Sequence, residues 1–368
     1  MAPSWLVSIC AASLIGAIAW RGPELPVALA VAFPAIIFEQ ATRTHAASVA
    51  MSYYLAASAP LLSVWKAFMP DHPESGIVIW LSAAILMTLP WALLWHPIRQ
   101  VWRCPAALTI SVLPPLGVIG WASPLTSAGL LFPGTGFIGM TATVFAPAIC
   151  RLYPKLLVTA ILLTNFLYLP VNQPMDIQAL NTHHSENVFQ HEEDSRKAIH
   201  LAASPLVVLP EGAVRRWTEA TEAFWASTIE QLRVQQRSAL IGAGIPIPNS
   251  QQYRNAAITL GEGARQFDQR IPIPIGMWKP FGPADGVPLN LFGPGTLRVG
   301  PHRMAILICY ERLLVWPMIQ SALDNPTPIV GISNASWTKH THIPAAQEAC
   351  LKAWSRLFGI PYVSASNQ

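Results

Sequence analysis

From Met1 to about Pro170 the chain is a succession of apolar stretches punctuated by proline and almost free of charge; beyond that point the pattern changes to short apolar runs alternating with helical ones. No single core satisfies both halves, so the chain must divide. Only 11% of its 368 residues are charged and 52% are hydrophobic, against about 25% charged in an ordinary soluble domain. Read as membrane spans, the apolar stretches lie near Trp5–Trp20, Leu25–Phe38, Ala47–Phe68, Ile77–Leu94, Ala106–Trp121, Ala128–Cys150 and Leu156–Leu169. Several approach the about 20 residues that a helix needs to cross the hydrocarbon layer. The 34 prolines and 14 tryptophans suit that reading, since Pro is tolerated in spans and Trp gathers at interfaces. The first stretch lacks the basic start of a signal peptide and reads as an anchor.

The expectation is therefore a bundle of about seven spans over residues 1–171. Arg43, Arg99, Arg103, Arg151 and Lys155 fall on the side of the N-terminus, and Arg21 and Lys66 on the other. That bias places the N-terminus in the cytoplasm, and an odd span count puts the rest in the periplasm. The expected location is the inner membrane, multi-pass, with the lipid bilayer as partner. The formal charge of +4 comes without a Lys/Arg-rich run, so no nucleic-acid partner is expected. The five cysteines are scattered, with no CxxC and no His at metal spacing, so neither a disulfide framework nor a metal site is indicated.

In the second half "MDIQAL", "PLVVLPE", "SALIGAGIP", "AAITLGEG", "RMAILIC", "TPIVGISN" and "PYVSASN" read as strands. "RRWTEATEAFWASTIEQLRVQQR" and "PAAQEACLKAWSRLFG" read as helices. Strands alternating with helices argue an α/β domain over residues 172–368. Three strand ends carry reactive groups: Glu211 after "LVVLP", Cys309 with Tyr310 and Glu311 after "MAILI", and Asn334 in "GISNASW". A cysteine ending a core strand is ordinarily a small buried hydrophobe. The alternative is a nucleophile, which needs a base to take its proton, as a carboxylate can. The strand pattern alone leaves both open.

In this order and spacing the motifs resemble the nitrilase superfamily, carbon–nitrogen hydrolases with a Glu–Lys–Cys triad. The match covers about Asp176 to Asn367, and within the superfamily it is similar to apolipoprotein N-acyltransferase. The length, the helices and "RIPIPIGMWKPFGP" look closer still to nitrilase-like membrane proteins of plasmid conjugal transfer. The resemblance implies an α-β-β-α sandwich after the helical half, shortened at its C-terminus. It implies Glu211 as general base, Cys309 as nucleophile, Tyr310 as donor of a backbone N–H to the oxyanion, and Glu311, Asn334 and Trp337 around the pocket. No cofactor is implied. The lysine place falls on Gln269, beside Arg270, with Lys279 ten residues on. In a strand, Arg270 would point away from the face that Gln269 occupies.

Two functions follow. One is a membrane-anchored thiol acyltransferase or amidase, working through an acyl-cysteine on a lipidated or membrane-tethered peptide. The other is a weak or inactive binding module associating with other conjugation proteins.

Overall fold

The computed structural model describes residues 5–68, 72–172, 176–281, 285–338 and 340–368. The strand expected from Met175 begins outside those residues, and so does the Lys66 side chain used in the charge bias. The chain forms two compact units. One comprises Met1–Val171, Leu313–Trp316 and His340–Gly359; the other comprises Asn172–Arg312, Pro317–Lys339 and Ile360–Gln368.

Proline and glycine correct the expected seven spans in the first unit. Proline has no N–H to donate and disfavours helix in the residue before it. The stretch expected to run from Ala47 to Phe68 is split at Pro60 into Arg43–Ser58 and Pro60–Phe68. The stretch from Ala106 stops at Val112, ahead of Pro114 and Pro115. The stretch from Ala128 is interrupted by Pro133, Gly134 and Gly136, and its helix is Phe137–Leu152. Among the described residues one helix, Ser75–Leu94, is long and apolar enough to cross a membrane, with 20 residues and a mean hydropathy of 2.2. Shorter apolar helices such as Trp5–Ala19 and Pro154–Leu167 extend only about 21–23 Å at 1.5 Å per residue, short of a hydrocarbon core of about 30 Å. The about seven-span, multi-pass reading is therefore overturned, and the orientation drawn from it loses its footing. The unit has its own core instead, in which Phe33 stacks on Tyr53 and meets Trp91 edge-on.

The second unit is built on two sheets. Its strands are β1 (Ile177–Ala179), β2 (Leu206–Val208), β3 (Ser238–Pro246), β4 (Gln251–Gly261), β5 (Gln266–Asp268), β6 (Asp285–Gly286), β7 (Leu297–Val299), β8 (His302–Ile308), β9 (Ile329–Asn334) and β10 (Tyr362–Asn367). One sheet runs β1-β2-β3-β4-β5, with β6 beside β4; the other runs β10-β9-β8-β7. β1, β2 and β3 are parallel, as are β8, β9 and β10. The strands at the centre of each sheet are continuous apolar runs, as expected where both faces are covered.

Alternate residues of both sheets meet in one core containing Val208, Leu240, Phe267, Ile306, Ile308 and Ile332, with Cys309 at its edge. The opposite face of the first sheet packs with Trp225 and Leu232 of the helix Glu219–Val234 and with Ile199 of the helix Val188–Leu201. That second helix lies in the polar stretch where the sequence reading placed no element. Its start is capped by Asn187, whose side chain accepts from Gln190 N–H. Glu211 follows β2 of the first sheet, and Cys309 and Asn334 end β8 and β9, parallel neighbours in the second; contacts of Glu211 with the Asn334 N–H and the Cys309 thiol bring the three together.

Phe267 is fully buried between the sheets. Truncating it as Phe267→Ala should lower stability by about 3–5 kcal/mol, measured as the shift of the denaturant midpoint of the full chain.

Candidate active site

Cys309 opens a short 3-10 turn, Cys309–Leu313, directly after β8. Its φ of +53° is left-handed, which is uncommon for a residue with a side chain and costs on the order of 1–3 kcal/mol. Glu311 holds the turn in that shape. One carboxylate oxygen accepts from Ile308 N–H at 3.0 Å; the other accepts from the backbone N–H groups of Arg270 at 2.7 Å and Ile271 at 3.1 Å. The Arg270 guanidinium completes this fully buried cluster. Its Nε lies 3.3 Å from Glu311, and it donates to the carbonyls of Ile306 and Pro317. Burial draws the Arg270 guanidinium down from its ordinary value, and Glu311 opposes the shift.

Glu211 lies in the turn after β2. Its backbone presses so closely on β3 that a Cβ built at Gly242 would sit 2.4 Å from the Glu211 Cα. Its carboxylate accepts from Asn255 Nδ2 at 2.6 Å and from Asn334 N–H at 2.8 Å, and the Cys309 thiol donates to it. Burial pushes the Glu211 carboxyl up, and these three hydrogen bonds pull it back. The thiol is driven well above its usual range, first by burial and then by the negative charge of Glu211 and its hydrogen bond. The Tyr310 backbone N–H and the Arg312 charge act the other way, more weakly. Burial also pushes the Tyr310 phenol up.

The position where the resemblance implies lysine is occupied by a neutral relay. An ionised carboxylate only accepts, so Asn255 turns its amide NH₂ toward Glu211. The same NH₂ donates to Gln269 Oε1 at 2.9 Å, which leaves Gln269 Nε2 to donate to the Ile308 carbonyl at 3.0 Å. Gln269 N–H donates to the Asn255 carbonyl at 2.7 Å, which sets the register. Arg270 thus faces the Glu311 cluster, and Gln269 joins Glu211 only through Asn255. Lys279 is held elsewhere, 2.8 Å from Asp285. Trp337 packs against the core that contains Cys309.

The sequence reading missed Asn255, Gly242 and Arg312. Asn255 had a signal: an amide at the head of the apolar run that begins at Ala256, inside a strand, where Asn is depleted. Arg312 is 2% exposed and donates to the hydroxyls of Ser333 at 2.8 Å and Ser364 at 3.0 Å. A cleft of about 440 Å³ opens at Glu211, with Asn255, Asn334, Tyr253, Arg215 and His191 among its walls. Cys309 is 3% exposed, so the cleft meets the thiol through its carboxylate partner.

A strained cysteine whose thiol donates to a buried carboxylate, each just after a strand of a two-sheet α/β unit, makes a thiol–carboxylate pair. The chain belongs to the TraB family of conjugal transfer proteins. It is 33% identical to "Probable conjugal transfer protein TraB" of Sinorhizobium fredii over 97% of this chain and 96% of that one. It is 32% identical to "Conjugal transfer protein TraB" of Agrobacterium fabrum over 96% of this chain and 90% of that one. No family model matches. Solved structures similar to it include a carbon–nitrogen hydrolase from Helicobacter pylori G27, with 11% identity and a TM-score of 0.40, covering 52% of this chain and 72% of that one. Another is an amidase of the nitrilase superfamily from Nesterenkonia AN1, with 12% identity and a TM-score of 0.34, covering 54% and 78%.

Three outcomes follow. Alkylation of Cys309 by iodoacetamide should rise with pH through a midpoint above the about 8.5 of a free thiol, because burial and Glu211 both favour the protonated form. The rate, followed by mass spectrometry of the Cys309 peptide, should increase in Glu211→Gln at fixed pH, since the opposing charge is gone. Gly242→Ala should displace the Glu211 turn and move that midpoint, read in the same titration.

Proposed function

We propose that the protein is a slow thiol-dependent amidase or acyltransferase serving conjugal transfer, working through an acyl-cysteine on Cys309. The hydrogen bond between the Cys309 thiol and the Glu211 carboxylate carries this reading. As sulfur attacks a carbonyl carbon, its proton passes to Glu211. The tetrahedral oxygen takes the Tyr310 backbone N–H. Collapse returns the proton from Glu211 to the departing amine or alcohol and leaves a thioester. Water or an amine then attacks the thioester carbon, its proton goes to Glu211, and the sulfur leaves to recover that proton. The chain's own residues supply every proton transfer.

Speed is the weak point. Losing one donor to the oxyanion typically costs about 100- to 1000-fold, and Gln269 brings no charge where the resemblance implies lysine. That neutral relay favours a second reading, a binding module for a partner of the conjugation apparatus that no longer turns over. A membrane-tethered peptide remains the substrate expected for an enzyme anchored by the Ser75–Leu94 helix.

Intact-mass analysis of the purified full chain should show an acyl adduct on Cys309 that is absent from Cys309→Ser. The adduct should decay more slowly in Glu211→Gln, by about 100-fold or more if the carboxylate is the base. A chain that never carries or turns over an adduct supports the binding module.

A further inference from the structure

Tyr253, on β4, lines the cleft that opens at Glu211. Side chains two apart on a strand share a face, so Tyr253 and Asn255 look into the cleft together, while Arg254 between them pairs with Asp268 at 3.6 Å. Gly244 of β3 makes room for the Tyr253 ring, whose Cδ2 lies 3.5 Å from where a Cβ would stand. The phenol is within electrostatic reach of both the Glu211 carboxylate and the Cys309 sulfur. Burial first, and then the Glu211 charge, raise it above its ordinary value, and Arg216 opposes them. The hydroxyl therefore carries its proton at neutral pH. The residue is partly exposed, and its hydroxyl has no hydrogen-bond partner among the described residues. The neighbouring donors are already engaged. Asn255 uses both amide hydrogens, on Glu211 and on Gln269; Gln269 Nε2 is held by the Ile308 carbonyl, and Lys279 by Asp285.

We propose that Tyr253 is a substrate-binding residue whose O–H donates to the carbonyl oxygen of the ligand in this cleft, the side-chain donor that position 269 does not supply. The ligand class is a neutral acyl group: an amide, an ester or a thioester. A hydrogen bond to oxygen strengthens as that oxygen gains charge, so the phenol stabilises the oxygen as sulfur attacks and keeps its own proton, while Glu211 moves the proton of the thiol. A phenol brings no positive charge. It therefore leaves the resting thiol protonated, which a lysine in its place would not. The proposal rests on the cleft being the substrate site of the Cys309 centre, and its first reading concerns binding and not turnover.

The test reads the carbonyl itself. Propionamide labelled with carbon-13 at the carbonyl is titrated with the full chain carrying Cys309→Ala, so that thiol chemistry plays no part. The amide should bind saturably, and its carbonyl resonance should move downfield, the signature of a hydrogen bond to that oxygen. Tyr253→Phe in the same host should lose that displacement and bind about tenfold more weakly, the size of one lost hydrogen bond. Thermal unfolding identifies a variant that fails to fold. Fluorotyrosine at position 253, whose more acidic O–H donates more strongly, then carries the comparison and should move the resonance further downfield. With Cys309 restored, acylation by 4-nitrophenyl propionate should slow about 100-fold or more in Tyr253→Phe. No saturable binding, or a displacement that Tyr253→Phe leaves in place, would overturn the proposal whatever the rate of acylation. A displacement that Tyr253→Phe removes, in a protein that never forms a Cys309 adduct, would overturn the acyl-transfer reading and leave this one standing.

Discussion

The buried carboxylate of Glu311 is the contact on which the site's geometry rests. It takes backbone N–H groups from both sides of the centre: Ile308, which leads into the Cys309 turn, and Arg270 and Ile271, which follow Gln269. A left-handed cysteine persists only where its surroundings over-determine it, and three N–H donors on one carboxylate do that. The Arg270 guanidinium makes the burial of that charge tolerable, since an ionised group out of water needs a partner and further hydrogen bonds. The cation nearest in sequence to the expected lysine place is thus committed to holding the scaffold.

That commitment decides the chemistry. Glu211 and Cys309 face each other with amides around them, and the Arg312 charge is outweighed by burial and by the carboxylate. The resting state holds the proton on sulfur. In the reaction we propose, the thiol stays unreactive until a carbonyl is placed against it and Glu211 takes the proton in the same step. A protonated, buried thiol is a poor nucleophile for adventitious oxidation and alkylation.

Strand ends were the legible part of the sequence. Apolar runs that stop at an acid, a thiol or an amide mark β2 in one sheet and β8 and β9 in the other, and their ends meet across the two sheets. What could not be read depends on contacts far apart in the chain. Whether Gln269 or Arg270 faces Glu211 is set by the pairing of β5 on β4, where Phe267 stands opposite Ala257. Asn255 matters because that same register lays it beside Gln269. The helical half failed for a different reason. Apolar composition describes a buried helix and a membrane span equally well, and the prolines and glycines that shortened its helices outweighed the total hydropathy.

The central claim is that the site rests as a neutral thiol because burial and then the Glu211 charge disfavour the thiolate, with no cation at position 269 to offset them. Thiolate absorbance of the full chain, titrated against pH with Cys309→Ser subtracted, measures this directly. The wild type should ionise above the ordinary thiol range, and Gln269→Lys should bring the midpoint down by one pH unit or more, about 1.4 kcal/mol of stabilisation of the thiolate. A wild-type Cys309 already ionised at neutral pH, or a midpoint indifferent to the lysine in a folded variant, would contradict the account.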